Sequence, residues 1–230
     1  EAIQTLKDNG YEPFIATGRS SAETRDIMES ANIHSGIFMN GQVVLYQEQV
    51  IYSSQIPTET VEKFHQMVKE DGYGLTAYNH EQFYLVASSE GAKDAYGFIH
   101  TNPPALKEDF YKENPVNMLL FICLPPAEEK YKEAFPHLDF LRNTPYSVDV
   151  ITKGNSKAEG IKRFLEYLNQ EDAETFAFGD GPNDIEMLQA VQHPVAMGNA
   201  LPILKEIAEF ITTDNTDNGI INGLKHYGLI

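Results

Sequence analysis

The stretch Phe176-Ala177-Phe178-Gly179-Asp180-Gly181-Pro182-Asn183-Asp184 decides how this chain folds. Its apolar run ends at a glycine, and a helical pattern begins directly afterwards with Ile185 and Leu188. This order predicts a buried strand, a tight turn and a helix. Asp180 would then lie at the carboxyl end of the strand, which is the edge where open α/β sheets bind ligands.

Two acidic residues belong to this predicted turn. Asp180 and Asp184, with the amide of Asn183 between them, offer the oxygen ligands that a hard cation such as Mg²⁺ prefers. The alternative is a surface turn in which these side chains only cap the following helix.

The composition limits the class of partner. The chain has 230 residues, with 17 basic and 34 acidic side chains and a formal charge of −17. Binding to a nucleic-acid backbone needs a basic face, so the charge argues against a nucleic-acid partner. A phosphorylated small molecule remains compatible with it, because a bound cation and a few local lysines can reverse the local field.

The cysteine content and the hydropathy predict a cytoplasmic protein without a membrane segment. Cys123 is the only cysteine and lies in an apolar run, so we expect it in a buried strand and expect no disulfide. No run of the sequence is long and apolar enough for a membrane helix, and no signal peptide is recognisable. The oligomeric state is left open.

The order of predicted elements indicates a domain interrupted by another. Residues 1–56 begin with alternating helices and strands, and this rhythm returns in residues 153–230. Residues 57–152 change character, with two hairpins and further short strands that favour an α+β insert. The fold prediction is therefore a doubly wound, mostly parallel, Rossmann-like α/β core with an inserted α+β domain.

Polar residues follow several of the predicted core strands. They are Thr17-Gly18-Arg19, Asn40-Gly41, Asp180 with Asn183 and Asp184, and Gly198-Asn199. Lys157 precedes a predicted helix, and Lys153 is its rival. A hydroxyl such as that of Thr17, a backbone amide and a lysine ammonium can hold one phosphate together. Each residue also has an ordinary interpretation: Thr17 as a helix cap, Arg19 and Lys157 as solvated side chains, and Asn199 as a turn residue.

The order and spacing of these motifs resemble the haloacid dehalogenase-like hydrolases, most closely the Cof-type phosphatases with a large α/β cap. The resemblance implies that Thr17 and Lys157 bind phosphate and that Asp180 holds Mg²⁺, with Asp184 as a supporting acid at the metal. It also implies that Asn183 contacts phosphate or substrate. Asn40-Gly41 and Met197-Gly198-Asn199-Ala200 match the Cof-type pattern, and Gly18, Arg19, Asn40, Gly41 and Asn199 become candidate substrate contacts.

One family motif is missing from this sequence. Asp-x-Asp-Gly-Thr, which supplies the nucleophilic aspartate of the family, does not occur. In the family it follows a central strand located between those matching residues 14–16 and 176–178. We therefore expect the natural protein to continue upstream by about two dozen residues, the length of one strand and one loop.

The resulting hypothesis is a Mg²⁺-dependent phosphomonoester hydrolase that uses an upstream aspartate as nucleophile. Its substrates would be small phosphorylated metabolites, such as a sugar phosphate or a nucleotide-like cofactor. Two alternatives stay open at this point: a catalytically inactive protein that binds a phosphorylated metabolite, and a phosphotransferase.

Overall fold

A computed structural model of the protein describes residues 1–230, apart from the side chain of residue 143. The chain divides into two compact units. The α/β unit comprises Glu1–Thr17, Thr24–Tyr52 and Ser156–Ile230, and the α+β unit comprises Gly18–Glu23 and Ser53–Asn155. The domain boundaries suggested by the sequence, after residues 56 and 152, stay predictions.

Short helices occur along the whole chain. None of those described is both long and apolar enough to cross a membrane. The helices are α1 (Ala2–Asp8), α2 (Ser21–Ala31), α3 (Thr58–Asp71), α4 (Ala92–Phe98), α5 (Phe110–Glu113), α6 (Glu128–Ala134), α7 (Lys157–Leu168), α8 (Ile185–Ala190), α9 (Pro202–Ile207) and α10 (Gly219–His226).

The strands are longer in the middle of the sequence than at either end. They are β1 (Ile15–Ala16), β2 (Gly36–Phe38), β3 (Val43–Tyr46), β4 (Gln49–Ser53), β5 (Gly74–Tyr78), β6 (Phe83–Ala87), β7 (Met118–Ile122), β8 (Leu138–Thr144), β9 (Ser147–Thr152), β10 (Phe176–Gly179), β11 (His193–Ala196) and β12 (Phe210–Ile211).

The strands of the α/β unit form two sheets, with orders β1-β2-β3-β4 and β10-β11-β12. β1 pairs with β2 in parallel, and β10, β11 and β12 are also parallel neighbours. β2 and β3 pair in the antiparallel direction, which the sequence analysis did not predict. Since the strands are mostly parallel and connected through helices, the predicted α/β class is confirmed.

Helix α7 illustrates why the α/β unit folds as it does. The Ser156 side chain caps its start by accepting a hydrogen bond from the Glu159 amide at 3.3 Å, and Asn169 ends it in the left-handed conformation. Its apolar side chains pack into the core of the unit, with Ile161 and Phe164 buried and Leu165 and Leu168 partly buried. Because the cap fixes the first turn, Lys157 is held at the first position of the helix.

The α+β unit contains one antiparallel sheet of order β6-β5-β7-β9-β8. Helices α3, α5 and α6 contribute buried apolar residues to a shared core with the sheet. Phe64 of α3 lies at its centre, within 5.0 Å of the Tyr131 ring and 5.5 Å of the Phe121 ring, measured between centroids. Cys123 belongs to the same core, as predicted, and burial raises the pKa of its thiol to about 11.

Helices α4, α5 and α10 are present although the sequence pattern did not indicate them. α5 has only four residues and lies within a segment interpreted as a proline-containing connection. α10 contains Gly219 and Gly223, and glycine disfavours a helix by about 1 kcal/mol relative to alanine. Its Leu224 packs with Leu6 and Leu229, so tertiary packing stabilises a helix that local propensity does not favour.

Candidate active site

The carboxyl ends of β10 and β11 bring two predicted site residues into contact. The strands are parallel, with Gly179 opposite Ala196. The residues that follow them therefore emerge at one edge, and Asn199 Nδ2 donates to Asp180 Oδ2 at 2.8 Å. Asp180 itself is exposed. The strand–turn–helix prediction for this segment is confirmed, with a 3₁₀ turn at Pro182–Asp184 before α8.

Lys157 and Asp184 form a buried ion pair. Lys157 Nζ lies 2.6 Å from Asp184 Oδ1, and the two side chains are only 6% and 8% exposed. A buried charge is tolerated when it is paired and hydrogen-bonded, so these two residues depend on each other. Lys153, the rival candidate, is exposed and belongs to the α+β unit.

The second oxygen of Asp184 is engaged by the chain as well. Asp184 Oδ2 accepts hydrogen bonds from the backbone amides of Asp180 at 2.9 Å and Gly181 at 3.0 Å. Asp184 thus fixes the turn that presents Asp180, and its occupied oxygens favour a positioning role. Direct ligation of metal by Asp184 stays a prediction.

Thr17 and Asn40 lie at neighbouring strand ends. The Thr17 amide donates to the Ile37 carbonyl at 2.8 Å, and the Thr17 carbonyl accepts from the Asn40 amide at 3.1 Å. Asn40 is buried and left-handed, with φ of 54°. Its Oδ1 accepts from Asn183 Nδ2 at 3.0 Å, which links this strand end to the turn of Asp180 and Asp184.

Gly41 explains why the chain can approach α7 so closely. Its φ is 91°, and a Cβ atom there would overlap the carbonyl group of Ser156, the residue before Lys157. Only glycine suits this left-handed, crowded position. Its role is therefore explained by packing, and its predicted contact with substrate stays a prediction.

Gly18 and Arg19 belong to the α+β unit. The start of α2, in the same segment, is joined to that unit because the Ser21 hydroxyl and the Ala22 amide both donate to the His80 carbonyl. Ser20 and Glu23 form a capping box, in which the Ser20 amide donates to Glu23 Oε2 at 2.8 Å and the Glu23 amide donates to Ser20 Oγ at 3.4 Å. A contact of Gly18 or Arg19 with phosphate stays a prediction.

The loop after β12 contacts the candidate site through one backbone amide, that of Asn215, and the sequence analysis did not predict this contact. The Asn215 amide donates to Asn199 Oδ1 at 3.2 Å. The signal was available, because Thr212 to Asp217 is a polar run directly after a predicted strand, as at the other strand ends.

The donor chemistry fits a hard cation. Asp180 is an exposed carboxylate at a strand end, and no hydrogen bond to its Oδ1 occurs among the described contacts. Within the described residues there is no cluster of three or more His, Cys, Asp or Glu side chains that could hold a metal. The exposed carboxylate of Asp180 is of the type that could form part of an oxygen-ligand site, and metal binding by Asp180 stays a prediction.

A sequence model for haloacid dehalogenase-like hydrolases matches residues 1–224. The chain belongs to this family. The family assignment made from the motifs is therefore confirmed, and with it the hydrolase class of this haloacid dehalogenase-like protein.

Similar proteins agree with the family assignment. YkrA of Bacillus subtilis (strain 168), whose name describes it as a candidate phosphatase, is 36% identical over all of this chain and 90% of its own length. A crystal structure from Geobacillus kaustophilus HTA426 has a TM-score of 0.93 at 32% identity, covering 100% of this chain and 90% of that one. The subclass IIB sugar phosphatase BT4131 has a TM-score of 0.85 at 29% identity, with the same coverage.

Proposed function

We propose that this hydrolase is a Mg²⁺-dependent phosphatase of small phosphorylated metabolites. The observation that carries the proposal is the buried Lys157–Asp184 pair, 2.6 Å apart, on the turn that presents Asp180. This arrangement keeps an ammonium group and an exposed carboxylate at one sheet edge. The ammonium group suits a bound phosphate, and the carboxylate suits a hard cation.

Lys157 and Thr17 are the proposed phosphate ligands. Lys157 is the first residue of α7, so the partial positive charge at the start of this 12-residue helix adds to that of the ammonium. The Asn40–Asn183 hydrogen bond, at 3.0 Å, would shape the wall beside the phosphate. These groups contact the part that all phosphate esters share, so they act on rate and not on the choice of leaving group.

The proposed nucleophile is an aspartate upstream of residue 1, on a strand that pairs with both β1 and β10. The support is that β1 is at the end of one sheet and β10 at the end of the other. The aspartate would attack phosphorus with loss of the alcohol, and water would then hydrolyse the aspartyl-phosphate. Mg²⁺ held by Asp180 would supply stabilisation of negative charge on the phosphoryl oxygens.

The α+β unit is the proposed cap that excludes water and selects the leaving group. Hydrogen exchange at residues 53–57 and 152–156 would test this, since a phosphate analogue should slow exchange at both connections. Unchanged exchange with the analogue bound would argue against closure. The sugar phosphatase BT4131, with its TM-score of 0.85, makes sugar phosphates the first substrates to examine.

The test is a phosphatase screen of the full-length protein against sugar phosphates, nucleotides and phosphorylated cofactors. We expect phosphate release that requires Mg²⁺ and is abolished by chelation with EDTA. Saturable binding of a phosphate ester without hydrolysis would instead identify a binding protein. Transfer of phosphate to an added alcohol in preference to water would identify a phosphotransferase.

A further inference from the structure

Asn199 connects Asp180 with the polar loop Thr213–Asp217, which follows β12. Its Nδ2 donates to Asp180 Oδ2 at 2.8 Å, and its Oδ1 accepts from the Asn215 amide at 3.2 Å. Both ends of the side-chain amide are therefore used within the protein. The contact to Asp180 uses one of the two N–H donors of the amide, and the contact to Asn215 uses one of the two acceptor sites of its oxygen.

The loop Thr213–Asp217 is held by its own hydrogen bonds. Thr213 Oγ1 donates to the Asp217 carbonyl at 2.6 Å and accepts from Asn222 Nδ2 of α10 at 2.8 Å. Asp214 Oδ1 accepts from the Thr216 amide at 3.1 Å. The loop is therefore a fixed support for the Asn215 amide.

The strand end that carries Asn199 is attached to the same loop. The Gly198 amide donates to the Thr213 carbonyl at 3.0 Å. A Cβ atom at Gly198 would lie 2.6 Å from the Asp214 nitrogen, closer than real Cβ contacts, so a larger residue would push the loop away. Close approach at Gly198 thus keeps Asn199 at a set distance from Asn215.

We propose that Asn199 is a positioning residue for Asp180, the proposed metal ligand. Its donor restrains rotation of the carboxylate through Oδ2, and Oδ1, to which no hydrogen bond occurs among the described contacts, would be the oxygen that holds a cation. The proposal rests on the proposed function, because it takes Asp180 as a Mg²⁺ ligand.

The experiment compares Asn199→Ala with Thr216→Ala in the full-length protein. Thr216→Ala removes only the hydroxyl bond to Asp214 Oδ1 at 3.1 Å and leaves the Asn199 contacts in place. Mn²⁺ binding without substrate is measured by electron paramagnetic resonance. We expect about 10- to 100-fold weaker binding for Asn199→Ala, as for other partners of metal ligands, and less than about 2-fold for Thr216→Ala.

Steady-state kinetics separate positioning from substrate binding. With p-nitrophenyl phosphate, Asn199→Ala should raise the Mg²⁺ activation constant by the same factor and leave the KM at saturating Mg²⁺ unchanged. Unchanged Mn²⁺ affinity, or a raised KM with unchanged Mn²⁺ affinity, would overturn the proposal. If Asn199→Ala does not fold, Asn199→Ser provides the same comparison.

The outcome for Asn199 can be told apart from that of the proposed function. Weaker Mn²⁺ binding by Asn199→Ala in a protein that hydrolyses no ester would support the positioning role and reject the phosphatase. Mn²⁺ affinity that is unchanged by Asp180→Asn would reject Asp180 as the ligand and, with it, the role of Asn199.

Discussion

The core of the α+β sheet and the strand ends of the α/β unit bury different kinds of side chain. In the α+β unit a five-stranded antiparallel sheet packs against helices through completely buried aromatic rings. In the α/β unit the sheets are built from shorter strands, and the buried groups near the strand ends include an ion pair and an amide. The aromatic residues are Phe64, Phe110, Phe121 and Tyr131, and the polar residues are Lys157, Asp184 and Asn40.

We therefore expect the buried aromatic side chains to contribute mainly to stability and the buried polar side chains to contribute mainly to activity. Burying an aromatic or aliphatic side chain contributes about 1.5–3 kcal/mol, whereas burying an ion pair gives little net stabilisation after desolvation. The polar groups of the α/β unit are therefore explained by the site that they build. Substitution of the buried aromatic residues should therefore lower the free energy of unfolding, whereas substitution of the site residues should lower activity.

The largest effect that would test this separation is expected at Asp180. Asp180→Asn removes the charge of the proposed metal ligand, so turnover by the full-length enzyme should fall by about 1,000-fold or more. The melting temperature should stay the same, because the side chain is exposed. Asp172→Asn, at another exposed acid, is the control. Near wild-type turnover of Asp180→Asn would remove Asp180 from the mechanism.

The matching substitution in the α+β unit is Phe64→Ala. The Phe64 ring is fully buried and lies within 4.9–6.2 Å of four other rings, centroid to centroid. Truncation should lower the free energy of unfolding by about 3–5 kcal/mol. Mn²⁺ affinity measured below the melting transition should be unchanged. A loss of Mn²⁺ affinity in the folded variant would show that the two units are not separable in this way.

Lys157→Gln should have an intermediate effect on activity. The amide can still donate to Asp184, but the charge-assisted contact to phosphate is lost, worth about 1.5–3 kcal/mol. We expect kcat/KM to fall by about 10- to 100-fold, by a similar factor for every ester. Lys162→Gln, at an exposed position of the same helix, is the control. A change in substrate preference without a change in rate would assign Lys157 to specificity.

The smallest expected effect is a change in melting temperature, and it concerns His193 at the start of β11. Its Nδ1 lies 2.8 Å from Glu209 Oε2 and its Nε2 lies 3.0 Å from Glu174 Oε1. The hydrogen bond to Glu209, with a smaller contribution from Glu174, raises the pKa of His193. The same contact lowers the pKa of Glu209.

The sign of the pH effect follows from these two directions. The contribution of His193 is complete below its unfolded pKa of about 6.5 and is lost as the pH rises through the raised pKa. The contribution of Glu209 is present above its unfolded pKa of about 4.3 and is lost as the pH falls further. His193→Gln should therefore lower the Tm most, by about 2 °C, between these pH values. An equal Tm difference at pH 9 would show that packing, and not charge, is responsible.

The α/β part of the fold was predictable because each of its strands is a short apolar run that ends in a polar turn. Phe176–Gly179 and Gly36–Phe38 both follow this pattern, and both are strands. The family was predictable for the same reason, since the order of the strand-end motifs is a property of the sequence. Helix α10 was not predictable from the sequence, because the packing of Leu224 stabilises it and its residues have low helix propensity.

The sequence predicted which residues lie at the candidate site, but it did not predict which groups their side chains bond to. Spacing indicated that Asp180 and Asp184 would lie near one another, and the family resemblance implied that Lys157 would join them. Neither showed that both oxygens of Asp184 would be engaged. Such pairings depend on side-chain directions in three dimensions, which periodicity does not specify.

The first turn of α2 has a consequence for protein engineering. Ser21 and Ala22 donate to the carbonyl of His80, so residues from early in the sequence complete the surface of the α+β unit. A chimaera that replaces only residues 53–155 with the corresponding segment of another hydrolase would keep these contacts only if the new turn places a main-chain carbonyl where that of His80 lies. Exchange of specificity between relatives would therefore require the β5–β6 turn and the start of α2 to be transplanted as a matched pair.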